Sequence, residues 1–185
     1  MAESSSSVAV VDGDLMRRAM AQFASGVTVI TTLDGDGQPV GCTMSAFSSL
    51  SLDPPLVLIC VGKDRNMAGH LSKSAGYVVN ILGVGQDKLA LNFAGRNTDR
   101  FSDTLWEPGL FEMPRLLGVI CNVECRLWSI TDGGDHLIVI GEVVDVHIQP
   151  GTPLLHSQGS FNRVHSEDSM PIPPQFDEWL CSAPW

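Results

Sequence analysis

The hydrophobic pattern changes period along the chain. Near the start, Leu15, Met16, Ala19, Met20 and Phe23 recur at helical spacing behind Asp14, a capping residue, and Gly26 supplies a stop. Val27 to Leu33 (VTVITTL) is β-branched almost throughout, Asp34-Gly35-Asp36-Gly37 is a turn cluster, and Pro39 to Met44 resumes an extended run. A helix followed by a hairpin is predicted. Ala46 to Leu52 interleaves small polar with apolar residues, and Asp53-Pro54-Pro55 then interrupts regular structure because proline lacks the ladder N–H. Leu56 to Val61 reads as a buried strand. Asn66 to Lys73 and Gln86 to Phe93 predict short helices flanking a strand at Tyr77 to Leu82. Val119 to Ile130 and Leu137 to Ile148 predict two further strands across the turn Thr131-Asp132-Gly133-Gly134-Asp135. After Pro150 the periodicity fades. Pro171, Pro173, Pro174 and Pro184 predict an extended tail with Trp179 and Trp185 as anchors.

Five or six strands in hairpin-like pairs, without regular β-α-β alternation, argue for an antiparallel barrel or sandwich. A dinucleotide fingerprint is missing: Gly83-Val84-Gly85 leaves a strand but lacks the third glycine and a downstream acidic partner. The chain of 185 residues has room for one domain, and its 44% hydrophobic content supplies a core that buries about 70% of the unfolded surface. The expected division is a mobile N-terminal segment at 1–12 containing the run Ser4 to Ser7, a folded domain at 13–164 and a Pro-rich tail at 165–185.

Charge narrows the partners. With 11 Lys and Arg against 21 Asp and Glu the net charge is −10, so the average field repels nucleic acid and anionic membrane surfaces, while a local pocket for a small phosphate remains open. No stretch approaches the ~20 apolar residues of a membrane span, and the first residues lack the pattern of a secretory leader, so a soluble, cytoplasmic protein is expected. Cys42, Cys60, Cys121, Cys125 and Cys181 are odd in number and lack CxxC spacing, which suits small buried hydrophobes in a reducing compartment over a disulfide framework or zinc site.

Three segments carry candidate chemistry. Gly41 to Pro55 lines up small hydroxyl residues that let a flat ligand lie against the backbone, although a strand with a polar solvent face has the same composition. Gly134-Asp135-His136 opens a strand with a carboxylate beside a histidine, which suits a cofactor contact or an ordinary turn. Phe93 to Phe101 contains Arg96 and Arg100, and with Lys63, Arg65 and Asn66 it forms a candidate anion site, or else its arginines pair with Asp64 and Asp99. No Ser/His/Asp order, paired catalytic carboxylates or HExxH supports hydrolysis.

In order and spacing these segments resemble the short-chain flavin reductases, the NAD(P)H:flavin oxidoreductase components of two-component flavin monooxygenases. The resemblance runs from Phe23-Ala24-Ser25-Gly26-Val27-Thr28-Val29 through Gly41-x-Thr43-x-Ser45-Ala46-Phe47-x-Ser49 to Ser51-Leu52-Asp53-Pro54-Pro55-Leu56-Val57. It continues with Val79-Asn80-Ile81-Leu82, Phe93-Ala94, Asp99-Arg100-Phe101, Gly134-Asp135-His136, Gly141, Pro153-Leu154-Leu155, Gly159 and Phe161, covering residues 15–164.

The resemblance implies an FMN-binding split barrel, a mainly β, six-stranded antiparallel Greek-key barrel with short peripheral helices, working as a homodimer. Thr43, Met44, Ser45, Ala46, Ser49 and Ser51 would bind the isoalloxazine side of FMN or FAD. Lys63, Asn66, Phe93, Ala94 and Arg100 would lie toward the ribityl phosphate or the adjoining part of a dinucleotide, with Asp135 and Phe161 as further cofactor contacts. His136 would contact the NADH or NADPH donor, from which hydride passes directly to the flavin. Reduced flavin would go to a partner flavin-dependent monooxygenase. Three features depart from the family: Gly62-Lys63-Asp64-Arg65-Asn66-Met67 replaces a Ser/Thr cluster, His156 stands where an aromatic residue is common, and the tail from Ser166 extends past the usual end. The altered loop and the extended tail favour an alternative, a flavin-binding split barrel repurposed as a binding module or biosynthetic enzyme, whereas the intact Gly134-Asp135-His136 favours the reductase.

Overall fold

A computed structural model describes residues 10–95 and 99–164. The serine run, Arg96-Asn97-Thr98 and the Pro-rich tail lie outside the described residues. Among the described residues twelve strands and three α-helices, with a one-turn 3-10 helix at Leu110–Glu112, follow in order: α1 (Gly13–Met20), β1 (Ser25–Gly26), β2 (Thr28–Leu33), β3 (Pro39–Met44), β4 (Phe47–Leu52), β5 (Pro55–Gly62), α2 (Asn66–Leu71), β6 (Gly76–Ile81), α3 (Asp87–Ala94), β7 (Trp106–Pro108), β8 (Pro114–Leu116), β9 (Cys121–Gly133), β10 (His136–Ile148), β11 (Leu154–Ser157) and β12 (Ser160–Arg163).

The main sheet is antiparallel with strand order β3-β2-β6-β9-β10-β5-β4. Its two edge strands, β3 and β4, are consecutive in the chain and only Ser45 and Ala46 separate them. Joining opposite edges by so short a link rolls the sheet on itself. Side chains far apart in strand order accordingly share one core: Ile30 of β2 packs with Ile59 of β5, Val79 of β6, Val123 of β9 and Val139 of β10. The edges do not complete a ladder, so the roll keeps a seam beside β3. The fold is mainly β, as expected, with seven strands in the rolled sheet rather than six. The additional strand is β4, whose exposed Ser48 and Ser49 weaken its apolar period.

β2 is buried on both faces, which explains its unbroken β-branched run. Ile30 faces the interior of the roll, while Val29 packs outward with Val27, Leu82, Phe93, Val119 and Leu154. Asn80 sits between the layers with no exposure. Its amide donates to the Val29 carbonyl at 2.8 Å, and its carbonyl accepts from Leu116 N–H at 2.9 Å and the Asn122 amide at 2.8 Å.

Several boundaries differ from the sequence expectation. The α1 cap is Asp12, whose carboxylate accepts Leu15 N–H at 2.7 Å, whereas Asp14 lies in the first turn and pairs with Arg17. The helix ends at Met20 instead of continuing toward Gly26, because Ser25 and Gly26 pair with β11. The region after Pro150 contains the β11–β12 hairpin, turned by Gln158 and Gly159 at φ 50° and 75°. Leu15, Met16, Met20 and Phe23 stay exposed, so the apolar face of α1 has no cover among the described residues. No helix among those residues is long and apolar enough to cross a membrane.

Candidate active site

The seam opens into a cavity of about 790 Å3, within the range of ~300–1,000 Å3 usual for small-ligand sites. One wall is β3 and the link that follows it. β3 pairs with β2 alone, so its outer edge presents backbone donors and acceptors to the opening, apart from the Gly41 carbonyl that Arg100 occupies. Opposite stand Cys60 to Gly62 at the end of β5 and the start of α2; the end of α3 and Arg100 close the third side. Ala46 carbonyl accepts Cys60 N–H at 3.0 Å and fastens the link to β5.

The expected flavin residues divide among several places. Thr43, Met44, Ser45, Ala46, Asn66, Phe93, Ala94 and Arg100 line this one cavity. Ser45 and Ala46 are exposed in it, and the Ser45 hydroxyl has no hydrogen-bond partner among the described residues. Thr43 is different: its hydroxyl donates to the Ala90 carbonyl at 2.5 Å, tying β3 to α3 instead of reaching into the opening. Phe93 is 1% exposed and forms a packed wall beneath Gly41. Arg100 bonds the carbonyls of Gly41 and Gly95, so much of its fork braces the loop after α3 against β3.

The other expected residues lie outside that lining. Ser49 and Ser51 are on edge strand β4, paired with Val57 and Leu56. Phe161 packs from β12 against the outer layer, 6.0 Å from the His156 ring. Lys63 is drawn to Asp132 at 2.5 Å and faces a neighbouring basin. Its ammonium holds the Asp132 carboxyl below the usual range, first through the hydrogen bond itself.

Gly134-Asp135-His136 begins β10, whose first residue pairs with Gly62 on the cavity rim. Asp135 Oδ1 lies 2.7 Å from His136 Nδ1, and this bond with the ring's charge holds the Asp135 carboxyl down. The other nitrogen, Nε2, is directed toward Gly62: a Cβ there would lie 3.8 Å from it. The carboxylate thus orients the ring and leaves Nε2 beside Gly62, while His136 and Asp135 themselves are not among the residues lining the cavity.

Cys42, Cys60 and His70 join the lining without having been assigned a ligand from sequence, and Arg65, a member of the expected anion site, lines it too. The cysteines alternate with inward-packing neighbours and read as core. His70 stands a helical turn past Asn66, and its place depends on how α2 docks. Burial pushes the Cys42 thiol up to about 11, against the lowering effect of Arg100 and Arg65. At neutral pH the cavity wall there is a neutral, weakly polar surface.

Residues 20–165 match the flavin reductase like domain. The chain belongs to that family. Among curated flavin reductases, it is 35% identical over 164 residues to the flavin-dependent monooxygenase reductase subunit HsaB of Rhodococcus jostii, covering 88% of this chain and 84% of that one. It is 38% identical over 154 residues to the NADH-dependent FAD reductase of Streptomyces globisporus, covering 80% and 84%. Among solved flavin reductases, the NADH:FAD oxidoreductase SgcE6 of Streptomyces globisporus C-1027, in complex with NAD and FAD fragments, superimposes with a TM-score of 0.80 at 36% identity, covering 88% of this chain and all of that one.

A flavin fits what the family site offers here. The strand edge provides donors and acceptors for the polar rim of a flat ring, and small Ser45 and Ala46 let the ring approach the backbone.

Proposed function

We propose that the protein is an NADH-dependent flavin reductase that reduces FMN or FAD and supplies reduced flavin to a partner flavin-dependent monooxygenase. The observation that carries this reading is the seam cavity lined by edge strand β3, with His136 paired to its rim residue Gly62, in a chain of the flavin reductase family. When bound, the flavin supplies a ring that accepts hydride from the reduced nicotinamide. The β3 edge and the Ser45-Ala46 link hold one face of the ring. Phe93 and the Arg100 brace keep that wall rigid. His136, oriented by Asp135, positions the nicotinamide through Nε2 beside the rim residue Gly62, so rate enhancement comes from alignment of donor and acceptor. The catalytic unit in this reading spans residues 13–164 and works as a cytoplasmic homodimer. Exposed Leu15, Met16, Met20 and Phe23 on and after α1, with Trp128 and Ile148, favour pairing of two copies.

The test is steady-state oxidation of NADH and NADPH with FMN, FAD and riboflavin added in turn. Strictly flavin-dependent turnover is expected. Flavin binding without turnover from either donor refutes the reductase reading and favours a repurposed flavin-binding barrel. Sedimentation should give a dimer; a monomer that binds flavin at full occupancy overturns the homodimer.

A further inference from the structure

β9 and β10 carry a second group of chemically able side chains, apart from the seam cavity. Val123 and Cys125 of β9 pack into the rolled sheet, so Glu124 between them faces the other way, beneath the hairpin of β7 and β8. Its side chain is only 3% exposed, and Oε2 accepts Leu110 N–H at 2.5 Å. Gly109 permits that approach, since a Cβ there would lie 2.5 Å from Oε2. The register of β10 shifts between Val143 and Asp145, which sets Asp145 directly opposite Glu124, with His147 two residues further along β10. Two carboxylates opposite each other repel unless a cation lies between them.

The distances indicate which cation. His147 Nε2 lies 3.3 Å from Glu124 Oε1 and 3.2 Å from Asp145 Oδ2, and the three ligand atoms fall within 4.8 Å of one another. Charge-assisted hydrogen bonds run about 2.7–2.9 Å, so both contacts are long for an imidazolium held between carboxylates. They suit a shared metal ion: zinc bonds of about 2.0–2.1 Å at tetrahedral angles place neighbouring ligand atoms about 3.3–3.4 Å apart. The outer oxygens are already committed. Glu124 Oε2 holds Leu110 N–H and Asp145 Oδ1 holds Val146 N–H at 2.8 Å, which leaves Oε1 and Oδ2 to meet the ring.

Charge points the same way. Arg115 pairs with Glu107 and stands 3.4 Å from the buried Glu124 Oε1, so the group sets the carboxylates of Glu107, Glu124 and Asp145 against one guanidinium. A dication brings it to neutrality, and a buried carboxylate needs such compensation.

We propose that Glu124, Asp145 and His147 bind a divalent transition-metal ion, zinc by the preference of this ligand set, with solvent in the fourth position on the side where Asp145 and His147 are partly exposed. Through Glu124 the ion ties the hairpin tip at Leu110 to β10, and its effect is on stability. None of the three ligands lines the seam cavity, so the assignment is independent of the reductase reading.

The full-length protein, stripped with EDTA and dialysed, is titrated with zinc chloride by calorimetry and melted with and without zinc. Asp145→Asn and His147→Gln remove partly exposed ligands, and His136→Ala controls for zinc held by the other carboxylate-paired histidine. Wild type should bind one zinc per chain and gain Tm as zinc is added. Each ligand variant should weaken zinc by roughly tenfold or more and lose the gain in Tm, while His136→Ala keeps both. Cobalt as a probe should give the visible bands of tetrahedral coordination without a thiolate charge-transfer band.

Absence of saturable zinc binding overturns the assignment, as does zinc retained by both ligand variants or lost in His136→Ala. A thiolate band would move the metal to the cysteines. If zinc has no effect and His147→Gln still lowers Tm, the imidazolium itself is the bridging cation and the metal site is refuted.

Discussion

Gly41 lies where β3 passes over α3, and replacing it tests how the cavity wall is built. A Cβ at this position would lie 2.8 Å from Phe93 Cε1, 3.0 Å from Phe93 Cδ1 and 3.1 Å from the Ile30 carbonyl oxygen. The carbonyl belongs to the β2 backbone and cannot retreat. Phe93 must therefore move, although it is 1% exposed and packs edge-on to Phe101 at 5.1 Å. Overpacking of this kind costs about 1–3 kcal/mol, and relief from glycine's backbone entropy returns about 0.5–1 kcal/mol. Gly41→Ala should lose a net ~1–2 kcal/mol in urea unfolding with an unchanged m-value, lowering Tm by roughly 2–8 °C. Flavin affinity should fall as well, because Phe93 and the carbonyl of Gly41 that receives Arg100 both belong to the wall. Phe93→Leu vacates the contested space, so the double variant should be more stable than the sum of the single losses implies, by about 1 kcal/mol. A Gly41→Ala protein as stable as the parent, or strictly additive losses, would refute the wedge.

Three further outcomes are expected. His136→Ala should reduce kcat/KM for the nicotinamide by about 1–3 kcal/mol in transition-state stabilisation with flavin affinity and Tm nearly unchanged; stopped-flow reduction and flavin titration check this, and joint loss of flavin binding and fold would make His136 a structural turn residue. Asn80→Ala should cost about 2–4 kcal/mol in urea unfolding, since Leu116 N–H and the Asn122 amide lose a buried acceptor; a loss below about 1 kcal/mol would mean that the sheet re-satisfies them. Alkylation of Cys42, followed by peptide mass analysis, should be slow at neutral pH, accelerate toward pH 11 and be suppressed by bound flavin. Its folded pKa is raised, so its contribution to stability is complete below the unfolded thiol value of 9.0 and is lost as pH climbs through about 11. Rapid alkylation at pH 7 would contradict the buried, neutral thiol.

The sequence by itself determined the strands whose environment is uniform. β2 and β6 are buried along nearly their whole length, and β-branched or apolar runs interrupted only by Asn80 announce them. Turn chemistry announced the hairpins, because Asp34-Gly35-Asp36-Gly37 and Gly133-Gly134 tolerate positive φ. Local order also placed Thr43 to Ala46, Phe93-Ala94 and Asp135-His136 as candidate site segments. Tertiary structure decided which segments meet. Ser49 and Ser51 belong to the same motif as Ser45, yet β4 carries them onto the far edge, while His70 and Cys60 reach the cavity through the docking of α2 and the end of β5. The same holds for hydrogen-bond allegiance: a hydroxyl or guanidinium suits a ligand in any sequence reading, but Thr43 is committed to Ala90, Arg100 to Gly41 and Gly95, and Lys63 to Asp132. β1, β7, β8, β11 and β12 are too short to show a period; β7–β8 and β11–β12 pair locally, and the long-range contacts of Ser25-Gly26 with β11 and of Leu116 with Asn80 tie them to the fold. Periodicity reports the burial averaged along a segment, whereas a site depends on the contacts of individual atoms from segments distant in the chain. Those contacts were fixed only when the sheet rolled and left its seam open.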